Sequence, residues 1–193
     1  MDARQRKTRA ALTTAVLELA TDRSISDVTA AQIATRAGVH RSTFYEHASS
    51  PIDLLEVALR EQLDTVRERF LVDLEPADAS RALSETTDAV LRHVEQHESI
   101  YRRGLGEGSG GGSLHSMLSS HFEQSSRLLL AQRSLRIPGV AGVSSETVRD
   151  TVARYVADGT VGAIEVWLRS PAPRDRAAFL RLFSMLTPEW WPR

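Results

Sequence analysis

Residues 29–47 read T-A-A-Q-I-A-T-R-A-G-V-H-R-S-T-F-Y-E-H, and they leave this chain few ways to fold. Thr29 followed three positions later by Gln32 is the spacing of a capping box, in which each side chain satisfies an exposed N–H of a new helix. Val28 and Ile33 stand where a hydrophobic staple would sit. Ile33, Ala34 and Ala37 share one face of the helix so started. Gly38 then supplies the residue that enters the left-handed region without steric cost and ends the helix. Val39 and Phe44 are the apolar anchors of a second, short helix. The spacing therefore predicts two helices joined by a glycine turn.

The second helix carries the chemistry. With Val39 and Phe44 turned inward, His40, Arg41, Ser42, Thr43, Tyr45 and His47 are left to face outward. Arginine can bind a guanine edge through two hydrogen bonds, threonine can touch a thymine methyl, and hydroxyls can hold phosphates. A short, polar, cationic helix after a glycine turn is how a helix-turn-helix unit enters the major groove. The candidate DNA contacts are thus Thr29, His40, Arg41, Ser42, Thr43, Tyr45 and His47. Ser50-Pro51 reads as the cap and first residue of the next helix, whose N-terminus is a further candidate for holding a phosphate. Basic residues outnumber acidic ones in the first fifty positions and acidic ones prevail beyond. Such a cationic head on an acidic body orients an approach to nucleic acid.

The segment resembles the DNA-binding domain of the tetracycline-repressor (TetR) family of transcriptional regulators. The resemblance rests on Thr29, Ile33, Ala34, Ala37, Gly38, Val39, Thr43, Phe44, Tyr45 and His47, followed by Leu54 and Leu55. It implies an all-α fold: a three-helix N-terminal DNA-binding domain and a larger C-terminal helical domain that dimerises and binds a small effector. On this reading residues 1–50 are the DNA-binding domain and 51–193 the effector and dimerisation domain, joined through a linking helix at 51–73. Many relatives carry an aromatic residue after the His and a lysine opening the fourth helix; here those positions hold Ala48 and Pro51.

The rest of the chain reads as helix throughout, with helical spacing of apolar residues, no strand-like alternation and no internal repeat. Expected helices cover about 3–21, 51–73, 80–97, 100–105, 113–134, 145–170 and 174–186. The glycine-rich run at 106–111 fits the letter of G-x-G-x-x-G, but no strand precedes it, so it reads as a loop. Residues 98–113 are the piece expected to move.

Val152, Val156, Gly159, Gly162, Ala163 and Val166 form a stripe that would let two helix backbones approach closely. With Phe179, Leu182 and Phe183 of the last helix they are the expected interface of a homodimer. Two copies would present two recognition helices to half-sites about 34–36 Å apart, or a multiple of that. Thr87, Tyr101, Met117, His121, Phe122, Tyr155 and Trp167 are candidates for a mostly apolar effector cavity with a few polar groups.

Other chemistry finds less support. Cysteine is absent, which excludes disulfides, thiolate metal sites and cysteine nucleophiles. His93 and His97 stand four apart, a spacing that could chelate a metal on one helix face, but no third ligand is fixed. No cofactor and no bound metal are expected. No apolar run is long enough to span a membrane and no signal-peptide pattern is present, so a cytoplasmic location is expected. The leading expectation is a non-enzymatic, homodimeric repressor released from double-stranded operator DNA by a small apolar effector. The alternatives are a metal-dependent helical enzyme and a helical protein-binding adaptor.

Overall fold

The computed structural model describes residues 3–106, 112–132, 137–188 and 190–191. The described residues form α-helices, with two short 3-10 turns and no strand among them. The helices are α1 (Ala3–Asp22), α2 (Ala30–Ala37), α3 (Arg41–Tyr45), α4 (Pro51–Leu71), α5 (Ala79–Gln96), α6 (Glu98–Gly104), α7 (Ser113–Ala131), α8 (Ser145–Arg169) and α9 (Arg176–Leu186). Most of the glycine-rich run at 106–111 lies outside the described residues.

The chain divides into two compact units. One comprises residues 1–61 and 97–114, the other 62–96 and 115–193. In the first unit, α1 turns Leu12, Ala15, Val16 and Ala20 inward, the period its sequence predicts. Ile33 and Ala34 of α2, Phe44 of α3, and Leu55, Ala58 and Leu59 of α4 complete an apolar core. Tyr101 of α6 is fully buried, and burial pushes its hydroxyl well above the ordinary tyrosine range.

Residues 98–104 form a helix packed on α1, where a short helix at about 100–105 is expected. Glu98 lies in the first turn and Arg102 and Arg103 in the last, which complements the helix dipole.

The second unit is built from α5, most of α7, α8 and α9. Ala153, Ala157, Val161, Ile164 and Leu168 line the buried face of α8. Ser144 caps α8, accepting from the Thr147 N–H at 3.1 Å, and Asp175 caps α9, accepting from the Ala178 N–H at 3.0 Å. At the far end of α8 the Arg174 guanidinium donates to the carbonyls of Trp167, Leu168 and Ser170 at 3.0–3.1 Å. These are carbonyls at the C-terminal end of the helix, and the Trp167 oxygen also accepts from the Ser170 N–H at 3.1 Å. Arg176 ties α9 to α5, with Nε 2.9 Å from Asp88 and Nη1 2.6 Å from Glu95. The buried Ser119 hydroxyl of α7 donates to Asp158 of α8. That bond, first among several causes, holds the Asp158 carboxyl below its ordinary range.

Candidate functional site

The helix-turn-helix forms by the local chemistry its residues encode. The Thr29 N–H donates to Gln32 Oε1 at 2.9 Å, and the Gln32 N–H donates to Thr29 Oγ1 at 3.3 Å, closing the capping box. Gly38 ends α2 at φ 68°, ψ 32°. The Val39 N–H reaches back to the Ala34 carbonyl at 3.0 Å, so the turn satisfies carbonyls the helix leaves open. An L-residue at Gly38 would carry the left-handed penalty of about 1–2 kcal/mol.

α3 starts at once, with the Thr43 and Phe44 N–H groups donating to the His40 carbonyl at 3.0 and 3.3 Å. Phe44 is fully buried and pins the helix to the core, with its ring edge-on to Tyr45 at 5.2 Å. That anchor turns Arg41, Ser42 and Tyr45 outward, Tyr45 being 51% exposed. Arg41 and Tyr45 are one turn apart and act together. The guanidinium donates to the Tyr45 hydroxyl at 3.3 Å and lies 5.6 Å from the ring centroid. The hydroxyl bond raises the Arg41 pKa.

His40 is exposed, while Thr43 and His47 are half-buried. Thr29 is exposed, but its hydroxyl is engaged in the capping box. The N-terminus of α4 is already occupied. Asp53 Oδ2 accepts from the Ser49 N–H at 2.8 Å and the Ser49 hydroxyl at 3.0 Å, while the Asp53 N–H donates to Ser50 Oγ at 3.2 Å. The carboxylate sits where a phosphate would have to go, so this helix end is a poor phosphate site. Arg36 is likewise engaged, with Nε 2.7 Å from Glu18, and Arg9 pairs with Glu61. Arg41 is therefore the cation that α3 itself offers.

The second unit holds a half-open cavity of about 870 Å³ lined mainly by α5, α7, α8 and α9. Of the residues predicted to line it, Thr87, His121 and Phe122 do so. Tyr101 and Met117 are instead buried in the packing, and Tyr155 is 72% exposed. Trp167 is also off the cavity wall; its ring packs on Phe179 at 5.8 Å and lies 5.5 Å from the Arg174 guanidinium. Sequence reasoning missed Ser125, Ser126, Thr160, Leu180 and Trp191 on this wall. Following Phe122 by helical spacing to Ser125, Ser126 and Leu129, or Val156 to Thr160 and Ile164, would have found most of it.

No protein-family model matches the chain, and no curated protein matches it. Solved structures do. A TetR transcriptional regulator from Rhodococcus sp. RHA1 superposes with a TM-score of 0.62 at 21% identity, covering 96% of this chain and 98% of that one. A TetR-family regulator from Streptomyces coelicolor gives 0.62 at 20% identity, over 96% of this chain and 82% of that one. Thermus thermophilus FadR, a TetR-family repressor described in complex with lauroyl-CoA, gives 0.60 at 20% identity over 92% of each chain. The chain has the TetR fold.

Within the TetR fold the expected dimer stripe divides in two. Val156, Phe179 and Phe183 face the cavity, and Phe179 is buried, which leaves its ring nothing to offer a second chain. Val166 and Leu182 are more than half exposed, joined by Met185 at 79% and Leu186. A Cβ on Gly159 or Gly162 would meet open space. Gly159 is exposed, and Val152, Gly162 and Ala163 are half-buried.

The His93–His97 pair does not form on one helix. α5 ends at Gln96, and His97 is the N-cap of α6 at φ −113°, ψ 28°. Among the described residues no group of three or more His, Cys, Asp or Glu side chains could hold a metal ion, and no helix is long and apolar enough to cross a membrane.

Proposed function

We propose that this chain is a DNA-binding transcriptional regulator that works as a homodimeric repressor, released from its operator by a small, largely apolar effector. The observation that carries the reading is the α2–turn–α3 unit, in which a buried Phe44 presents the Arg41–Tyr45 pair and Ser42 outward. In this reading Arg41 and Tyr45 contact base edges or phosphates, with Ser42, Thr43, His40 and His47 beside them. The first fifty residues serve DNA, and the rest serves the effector and the second copy.

Dimerisation is supported by the exposed apolar residues of α8 and α9. Val166, Leu182, Met185 and Leu186 form a face that a monomer would leave wet. Effector binding is supported by the cavity, whose volume suits a small ligand. The lauroyl-CoA held by a neighbour of the same fold adds to that support. Release follows if the effector binds better to the dimer arrangement that fits DNA worse. Its leverage is its differential affinity for the two arrangements.

A gel-shift titration against DNA flanking the protein's own gene tests this reading. A regulator retards one fragment selectively, and its affinity falls steeply with salt as counterions are retained. Indifference to every fragment at low ionic strength would favour a protein-binding adaptor.

A further inference from the structure

The cavity wall says what kind of molecule it takes, an inference that rests on the effector reading above. Its body is apolar, with Leu83, Val90, Phe122, Leu129, Ile164 and Phe183 on the wall. Charge is confined to the rim. Asp78 and Arg81 pair with each other at 2.7 Å and are largely exposed, as is Glu85. Inside, the one ionisable wall residue is His121, whose Nδ1 lies 3.1 Å from Asp64 Oδ1. A charged ligand group would leave water for a wall whose ionisable residue is already engaged by Asp64, which is costly.

Three hydroxyls of the wall, one each from α5, α7 and α8, share one arrangement. Thr87 donates to the Leu83 carbonyl at 2.8 Å, Ser125 to the His121 carbonyl at 2.9 Å and Thr160 to the Val156 carbonyl at 2.7 Å. A hydroxyl has one proton. Once that proton is given to the helix, the oxygen offers the cavity lone pairs alone. Ser126, 4% exposed, lines the same wall. The wall therefore presents acceptors from α5, α7 and α8.

We propose that the effector is an uncharged, largely apolar molecule bearing at least one hydroxyl or N–H donor, which the oxygens of Thr87, Ser125 and Thr160 accept. A carboxylate of the same shape brings lone pairs against lone pairs and a charge without a partner. An ether or ester of the same shape fills the cavity but leaves the acceptors unmet.

Calorimetric titration of the full chain with para-hexylphenol, para-hexylanisole and para-hexylbenzoate reads this directly. The phenol is expected to bind roughly tenfold more tightly than either of the others, the scale of one hydrogen bond made or left unmade. The combined variant Thr87→Val, Ser125→Ala, Thr160→Val is expected to bind the phenol no better than the anisole. Equal or tighter binding of the benzoate, or an anisole as good as the phenol, overturns the proposal in the unmodified protein, whether or not the variant folds. A phenol preference that survives in a folded variant overturns the assignment to these three oxygens. Heat from none of the three probes would overturn both this inference and the effector reading of the cavity. Selective DNA retardation would still stand on its own test.

Discussion

The Arg103 guanidinium of α6 donates to the Thr21 carbonyl of α1 at 2.7 Å and reaches the Ala20 carbonyl as well. The Ser99 hydroxyl donates to the same Thr21 oxygen at 3.1 Å. These are the carbonyls that the last turn of a helix leaves without a partner, at the end where its dipole favours a cation. A helix that lies between α5 and α7 in sequence thus closes the end of α1 in the first unit. Arg103→Ala should lower stability by about 1–2 kcal/mol, the worth of a charge-assisted bond at a partly exposed site. Urea unfolding followed by circular dichroism reads this. A curve superimposing on that of the parent protein would mean that the contact contributes nothing.

The Arg41–Tyr45 pair allows two functions of the tyrosine to be separated. Tyr45→Phe removes the hydroxyl bond to Arg41 but keeps the ring under the guanidinium, whereas Tyr45→Ala removes both. Tyr45→Ala should weaken operator binding by about 1–3 kcal/mol, the usual range for one lost specific contact. The phenylalanine variant should fall between the alanine variant and the parent. Gel-shift affinities at one fixed salt concentration give the comparison. Alanine binding as well as tyrosine would remove this face of α3 from the interface.

Much of the N-terminal unit was legible because its determinants are local. The capping box, the left-handed glycine and the anchor at Phe44 each act within a few residues, so spacing alone located them. The C-terminal unit was harder to read, because helical periodicity finds an apolar face without saying what covers it. Phe179 and Leu182 look alike in sequence, yet one closes a cavity and the other faces solvent. Trp167 and Tyr101 suggested a ligand by their chemistry and are used for packing. Nor does periodicity reveal that α6 packs with α1. The His93–His97 spacing failed for a simple reason: a helix end falls between the two residues.

His97 gives a pH dependence whose sign follows from its burial. Desolvation lowers its pKa from the ordinary 6.5, so the folded protein holds this proton less tightly than the unfolded chain does. As pH falls through the ordinary imidazole range the unfolded state binds the proton first. The stability His97 contributes is therefore present above that range and is lost as pH falls, levelling once the folded imidazole also protonates. His97→Asn removes the titration and leaves a residue suited to the N-cap. The stability difference between parent and variant should shift against the parent between pH 7.5 and pH 5.5, as measured by urea unfolding. A difference independent of pH would show that this imidazole titrates normally in the folded protein.

Gly159 tests the proposed dimer without disturbing the protomer. A Cβ there meets no atom within 4 Å, and the residue is exposed, so Gly159→Leu leaves the folded chain room for the larger side chain. Replacing a mid-helix glycine should even favour α8 slightly, by up to about 1 kcal/mol. If two copies meet across α8 and α9, however, the same leucine intrudes where backbones approach. Overpacking of that kind costs about 1–3 kcal/mol per misfit side chain, and a twofold interface meets it twice. The variant should therefore melt no lower than the parent as a protomer yet sediment as a monomer at concentrations where the parent is dimeric. Its DNA affinity should fall in step, since one α3 reads too few base pairs to hold an operator alone. A well-folded Gly159→Leu that still sediments as a dimer would place the contact between copies away from this stretch of α8. The exposed Val166, Leu182 and Met185 would then need another explanation.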